Sequence, residues 1–339
     1  MKTHRLFCTL AAGSALALAV ACEDPAVTWA DTEPQTTPSP SPLAHPPLVP
    51  IDSSMRDGSP NAEFLLVQDL LREAGAATLL TQALIGMPES RDSVRSAAMM
   101  PSAPVPPASE SPLGDADSPT DTARCARSLR VALAPGRGRV AVWWSERGNS
   151  RVWLLGAWRD TLPSEGRLSS WRGPIVIDSL DRGPLDSQAA ARGAAGCARP
   201  APSIAYDERN GFAHVAYVLV GPEGAGVFYA HQMDPRASFE VPIAIMYGDR
   251  LGAARVASWG DVVAVAYEDP NSARGRVGLA VSRTAGHLFE ERMMASGTSA
   301  DARDPYVVVR GRAIVEGWSE QPAGGGEPVF KLRRAKVRP

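Results

Sequence analysis

Residues Asp261–Phe289 read DVVAVAYEDPNSARGRVGLAVSRTAGHLF. An apolar run of small and β-branched residues (262–267) enters the turn-rich PNSARG. A second alternating run, Arg276–Ser282, leaves it for a small polar loop. This is the pattern of a β-hairpin followed by a turn, and most of the chain beyond residue 124 aligns to it. Runs that end in an aromatic recur at Arg139–Arg147, Phe212–Leu219, Asp261–Asp269 and Arg312–Glu320, with Trp144, Tyr217, Tyr267 and Trp318 at matching places. Each is preceded by a short apolar run (Leu129–Leu133, Pro202–Tyr206, Ala254–Ser258, Pro305–Val309). Each is followed by another (Arg151–Trp158, Gly226–Met233, Arg276–Ser282, Glu327–Arg334). Fourth runs stand at Pro174–Asp178, Val241–Met246 and Glu291–Ala295. Units of three or four strands repeating at about 40–50 residues predict an all-β fold, a propeller with about four recognisable blades.

The last repeat ends on its third run and has no fourth, which leaves a sheet edge to be covered. Pro47–Ser53 resembles Pro174–Ser179 with one extra residue, and it is the expected closing strand, borrowed from the N-terminal side within 46–60.

Other segments divide as follows. Residues 1–21 form a signal peptide: Lys2, His4 and Arg5 precede an apolar run, Leu6–Ala21, too short to span a bilayer comfortably. Ala19-Val20-Ala21-Cys22 resembles a bacterial lipobox, in which the cysteine carries the lipid; an ordinary signal peptide cut nearby, or an uncleaved anchor, is the alternative. Residues 22–45 are rich in Pro, Thr and Ser and read as a disordered tether. Residues 61–86 hold apolar side chains at helical spacing (Phe64, Leu65, Val67, Leu70, Leu71), a helical segment that packs on the main domain or, as a minority reading, binds a partner. Residues 87–123 return to linker composition, and 124–339 carry the repeats. The net charge of −2 becomes −4 once Lys2 and Arg5 are removed, and neither value makes an electrostatic case for nucleic acid.

The repeats resemble the sialidase-like, or BNR-repeat, propellers. Their hallmark is the Asp-box, Ser-x-Asp-x-Gly-x-x-Trp, after the third strand of a blade. Ser282–Phe289 keeps that spacing with Thr284 and Phe289 at the Asp and Trp positions. Gln232–Phe239 keeps Asp234 and the aromatic. In that family the box is a structural turn. The resemblance also implies an arginine cluster that clamps a carboxylate. Arg127, Arg199, Arg255 and Arg303 recur at or just before the first runs and are the ligand-binding candidates. No Tyr–Glu nucleophile pair can be assigned, although Tyr267-Glu268, Asp207, Asp301 and Asp304 are noted, so catalytic residues stay unknown.

Cys125-Ala-Arg and Cys197-Ala-Arg occupy equivalent places before consecutive repeats, and in an exported chain they form the expected disulfide. There is no CxxC and the five histidines are scattered, so no metal site and no cofactor is expected. The sequence therefore favours an exported protein held to the membrane through an N-terminal lipid at Cys22, on the periplasmic or cell-surface side. There it would bind a glycan or protein ligand. A sialidase-type glycoside hydrolase and a structural envelope lipoprotein are the alternatives.

Overall fold

A computed structural model of the chain describes residues 25–37, 76–77, 79–84, 125, 128–134, 138–147, 151–162, 167–169, 171–183, 199–234 and 237–338. The N-terminal side supplies two short strands, β1 (Val27–Trp29) and β2 (Gln35–Thr37). The first repeat gives β3 (Arg130–Ala134), β4 (Gly138–Arg147), β5 (Arg151–Leu162), β6 (Arg167–Leu168) and β7 (Arg172–Asp178). The second gives β8 (Ser203–Tyr206), β9 (Ala213–Gly221), β10 (Gly224–Gln232) and β11 (Ile243–Gly248). The third gives β12 (Ala254–Trp259), β13 (Val262–Glu268), β14 (Val277–Ser282) and β15 (Glu291–Met294), and the fourth gives β16 (Asp301–Arg310), β17 (Ala313–Gln321) and β18 (Val329–Val337). Each repeat is one antiparallel sheet in chain order, and every expected run lies on its strand.

The sheets stack in series. β3 lies beside β8, β8 beside β12, and β12 beside β16, so the first strands of successive sheets are neighbours, as blades are in a β-propeller. Alternation along the strands explains the stacking. In β9, Val215, Tyr217 and Leu219 face the first sheet, against Val142, Trp144 and Leu154. Ala216 and Val218 face the third, against Val263, Val265 and Tyr267. Ala264, Ala266, Leu279 and Val281 then meet Val307, Val309 and Ile314 of the fourth sheet. With both faces buried, these strands read as near-continuous apolar runs rather than clean alternations. Trp144, Tyr217, Tyr267 and Trp318, the aromatics that align in the sequence, are all fully buried.

The outer face of the fourth sheet is covered by a helix instead of a blade. Residues 76–77 and 79–84 are helical. Leu80 and Leu84 pack on Val308, Val315, Phe330 and Leu332. Full burial of a leucine side chain contributes about 1.5–3 kcal/mol, enough to hold so short a helix on the sheet. The rest of the predicted segment 61–86 lies outside the described residues.

The fourth sheet is completed from the N-terminal side, but by a different segment from the one expected. β1 pairs antiparallel with β18, Val27 opposite Val337 and Trp29 opposite Ala335, and β2 pairs further along, Thr37 opposite Phe330. Within the tether predicted over 22–45, the described residues 25–37 are strand and turn instead. Val27 is buried, Asp31 accepts a hydrogen bond from Arg334 N at 3.1 Å, and Lys331 Nζ donates to Thr36 at 2.6 Å. The open ladder of β18 supplies hydrogen bonds that the Thr-rich segment cannot make alone. Lys331, Arg333, Arg334 and Lys336 consequently sit on an inner strand. Arg333 lies 4.3 Å over the Trp29 ring. Pro47–Ser53 lies outside the described residues.

Candidate functional site

The three predicted arginines among the described residues contact different partners. Arg199 is buried and doubly bonded to Asp181, with Nη2 2.8 Å from Oδ1 and 2.9 Å from Oδ2. The side chains of the pair are 1% and 0% exposed. Asp181 also accepts from Val152 N at 3.1 Å and Val220 N at 3.2 Å, so the pair fastens the first sheet to the second. The carboxylate that this arginine grips is the protein's own, and its fork is structural. Arg255 donates to Ala254 O at 3.0 Å and stands 5.9 Å from the Tyr306 ring. Arg303 is exposed and bonded to Asp301 at 2.8 Å. That contact holds the Asp301 carboxyl below its usual range. Arg127 lies outside the described residues, as do Cys22 and Cys197; Cys125 is buried beside the first sheet.

Around Arg303 the third and fourth sheets meet through acidic residues. Asp304 takes a positive φ of 52° at a bulge in β16, and its N–H donates to Glu268 Oε1 at 2.9 Å. Burial raises the Glu268 carboxyl, and the Asp304 N–H partly offsets it. Asp207, the remaining carboxylate noted in the sequence, closes the β8–β9 turn by accepting from Arg209 N at 2.8 Å.

Three of the five histidines, His214, His231 and His287, meet in space between the second and third sheets. His214 and His231 face each other across β9 and β10, their rings stacked at 6.2 Å. His214 Nδ1 lies 2.6 Å from the Tyr229 hydroxyl. Burial lowers His214 to about 3, with help from His231 and His287, and raises Tyr229, so imidazole and phenol are both neutral at pH 7.

His287 comes from the loop after β14. Ser282 Oγ accepts from Thr284 N at 3.1 Å and Gly286 N at 3.0 Å, and Thr284 Oγ1 accepts from Leu288 N at 3.0 Å. Phe289 anchors the turn edge-on to Tyr229 at 4.9 Å. Gly286 has φ 93°, and a Cβ there would overlap the Tyr229 hydroxyl. The turn after β10 is built differently. Trp158 Nε1 donates to Gln232 Oε1, Gln232 Nε2 donates to Ala237 O at 2.6 Å, and Phe239 is buried at its end. It delivers Glu240, whose N–H donates to His231 O at 2.9 Å.

The two turns therefore aim His231, Glu240 and His287 at one point. Glu240 Oε2 is 3.4 Å from His231 Nε2 and 3.8 Å from His287 Nδ1. A cavity of about 30 Å³ adjoins them, lined also by Tyr229, Val241, Ile243 and Gly286. The sequence expects no metal site; these three residues belong to two repeats, with no spacing motif to announce them as a set.

No protein-family model matches the chain, and no curated protein matches it either. Solved structures that resemble it include a Dyadobacter fermentans protein of unknown function, at 11% identity and TM-score 0.40, covering 59% of this chain and 50% of that one. A Hadza microbial sialidase follows at 12% identity and TM-score 0.37, covering 60% of this chain and 43% of that one. The catalytic domain of a Coprinopsis cinerea GH62 α-L-arabinofuranosidase matches at 13% identity and TM-score 0.33, covering 60% of this chain and 62% of that one. The chain thus spans half or less of the length of the first two.

Proposed function

We propose that the protein is an exported β-propeller, lipid-anchored at Cys22, that binds a glycan or protein ligand at the cell envelope. The observation that carries the binding reading over the hydrolytic one is the Arg199–Asp181 pair. An arginine needed for a substrate carboxylate is instead sealed against an internal one. The lipid anchor and a Cys125–Cys197 disulfide rest on the sequence alone. Among the described residues no helix is long and apolar enough to cross a membrane. β1 begins at Val27, five positions after Cys22, so a lipid there would hold the fourth sheet close to the bilayer, without a long tether.

The runner-up, a sialidase-type glycoside hydrolase, is favoured by one observation. Glu268 is a carboxyl raised by burial, beside the exposed Arg303 and Asp304, and a raised carboxyl suits a general acid. The test is a panel of fluorogenic sialosides and aryl glycosides run beside a glycan array. Array binding without turnover supports the binding module. Turnover that disappears in both Glu268→Gln and Arg303→Ala sinks it. Separately, Cys22→Ser should abolish membrane partitioning, and unchanged partitioning would remove the lipoprotein claim.

A further inference from the structure

We propose that His231, Glu240 and His287 form a binding site for a divalent transition-metal ion of the Zn²⁺ class. The inference uses the geometry of the cleft between the second and third sheets and stands whether or not the envelope reading holds.

The two separations from Glu240 Oε2 are close to those of ligands about a shared centre, and a small closure of the two imidazole rings completes the set. A zinc ion bonds imidazole nitrogen and carboxylate oxygen at about 2.0–2.2 Å, so two such atoms at a tetrahedral angle lie roughly 3.4 Å apart. Here the two contacts to Glu240 Oε2 are 3.4 and 3.8 Å, and all three candidate ligand atoms lie within 4.8 Å of one another. Both contacts exceed the roughly 2.7–3.2 Å of an ordinary hydrogen bond. His231 Nε2 is buried and has no hydrogen-bond partner, which is costly for an imidazole that serves only packing.

The cleft is also built to hold these groups still. His231 projects from a ladder strand, Glu240 is tied to the His231 carbonyl, and His287 is set by the turn that Ser282, Gly286 and Phe289 fix against Tyr229. Tyr229 and His214 back this arrangement as positioning residues. Two nitrogens and one carboxylate oxygen suit a borderline ion such as Zn²⁺ and disfavour Ca²⁺ or Mg²⁺, which take oxygen. Three protein ligands leave a fourth position, and the three residues line a cavity of about 30 Å³. In such a site a water or a ligand oxygen completes the set.

The test is calorimetric titration of the chelator-stripped full chain with ZnCl₂, and with CoCl₂ followed by visible absorption. One equivalent bound is expected, with the d–d bands of tetrahedral Co²⁺. His287→Ala and Glu240→Gln alter groups at the rim, where folding is least at risk. Each should weaken binding by more than the roughly 10–100-fold that loss of an outer-shell partner costs. His231→Ala should do the same. Absence of binding by the native chain overturns the proposal. So does stoichiometric binding that His287→Ala and Glu240→Gln both leave unchanged.

Discussion

Glu316 sits in the middle of β17, fully buried, with Arg333 opposite it on β18. Neither of its carboxyl oxygens has a hydrogen-bond partner. Burial drives the carboxyl well above the usual range, and Arg333 offsets this only in part. The Arg333 guanidinium is engaged elsewhere, over Trp29 at 4.3 Å and on Ala295 O at 3.3 Å. In the folded protein Glu316 therefore holds its proton to a higher pH than in the unfolded chain, where it ionises above about 4.5.

The sign follows from linkage. Because the folded value is raised, the contribution is complete below about pH 4.5 and is lost as pH rises toward the folded value. One proton gives a slope of at most about 1.4 kcal/mol per pH unit between the unfolded and the folded value. Glu316→Met keeps the length of the side chain and removes the titration. The variant should equal or exceed the native chain in stability at pH 7.5, and its advantage should shrink at pH 5.5. Urea unfolding at the two pH values measures both. If Glu316 were instead an ionised partner of Arg333, the variant would lose about 3–5 kcal/mol at both pH values, because one charge would remain buried alone. That result would refute the reasoning.

Three further outcomes are expected. Asp181→Ala leaves the Arg199 guanidinium buried without its carboxylate and should cost about 3–5 kcal/mol in urea unfolding, with Arg199→Met/Asp181→Leu losing far less. Phe289→Ala removes a ring buried against Tyr229 and should cost about 3–5 kcal/mol; a loss below about 1 kcal/mol would mean the turn does not depend on that anchor. Hydrogen exchange should find the amides of 27–29 protected on the timescale of β18, and exchange as fast as an unfolded peptide would restore the tether reading.

The strands were legible because each repeat marks its own hairpin: apolar runs bounded by turn residues, with an aromatic that fills the same inter-sheet space every time. Trp144, Tyr217, Tyr267 and Trp318 align in sequence and are buried in the structure for one reason. The closing strands were not legible. Val27–Trp29 and Gln35–Thr37 are three residues each, in a segment whose composition predicts disorder, and their order comes from the edge of β18. The site divides in the same way. The recurrence of arginines at or just before the first strands is real, yet what Arg199 grips depends on Asp181, whose place in the fold the sequence does not announce. His231, Glu240 and His287 are linked only through adjacent sheets. The available signal was the alignment of the turns Gln232–Phe239 and Ser282–Phe289, which places His231 before one turn and His287 within the next.

The chain's chemistry, on this account, is concentrated between the second and third sheets. Anomalous diffraction at the zinc edge, from crystals grown with equimolar Zn²⁺, tests this most directly. A single strong peak is predicted within bonding distance of His231 Nε2, Glu240 Oε2 and His287 Nδ1. A map with no peak there, or with its main peak at Glu268, Asp301 and Asp304, would contradict it.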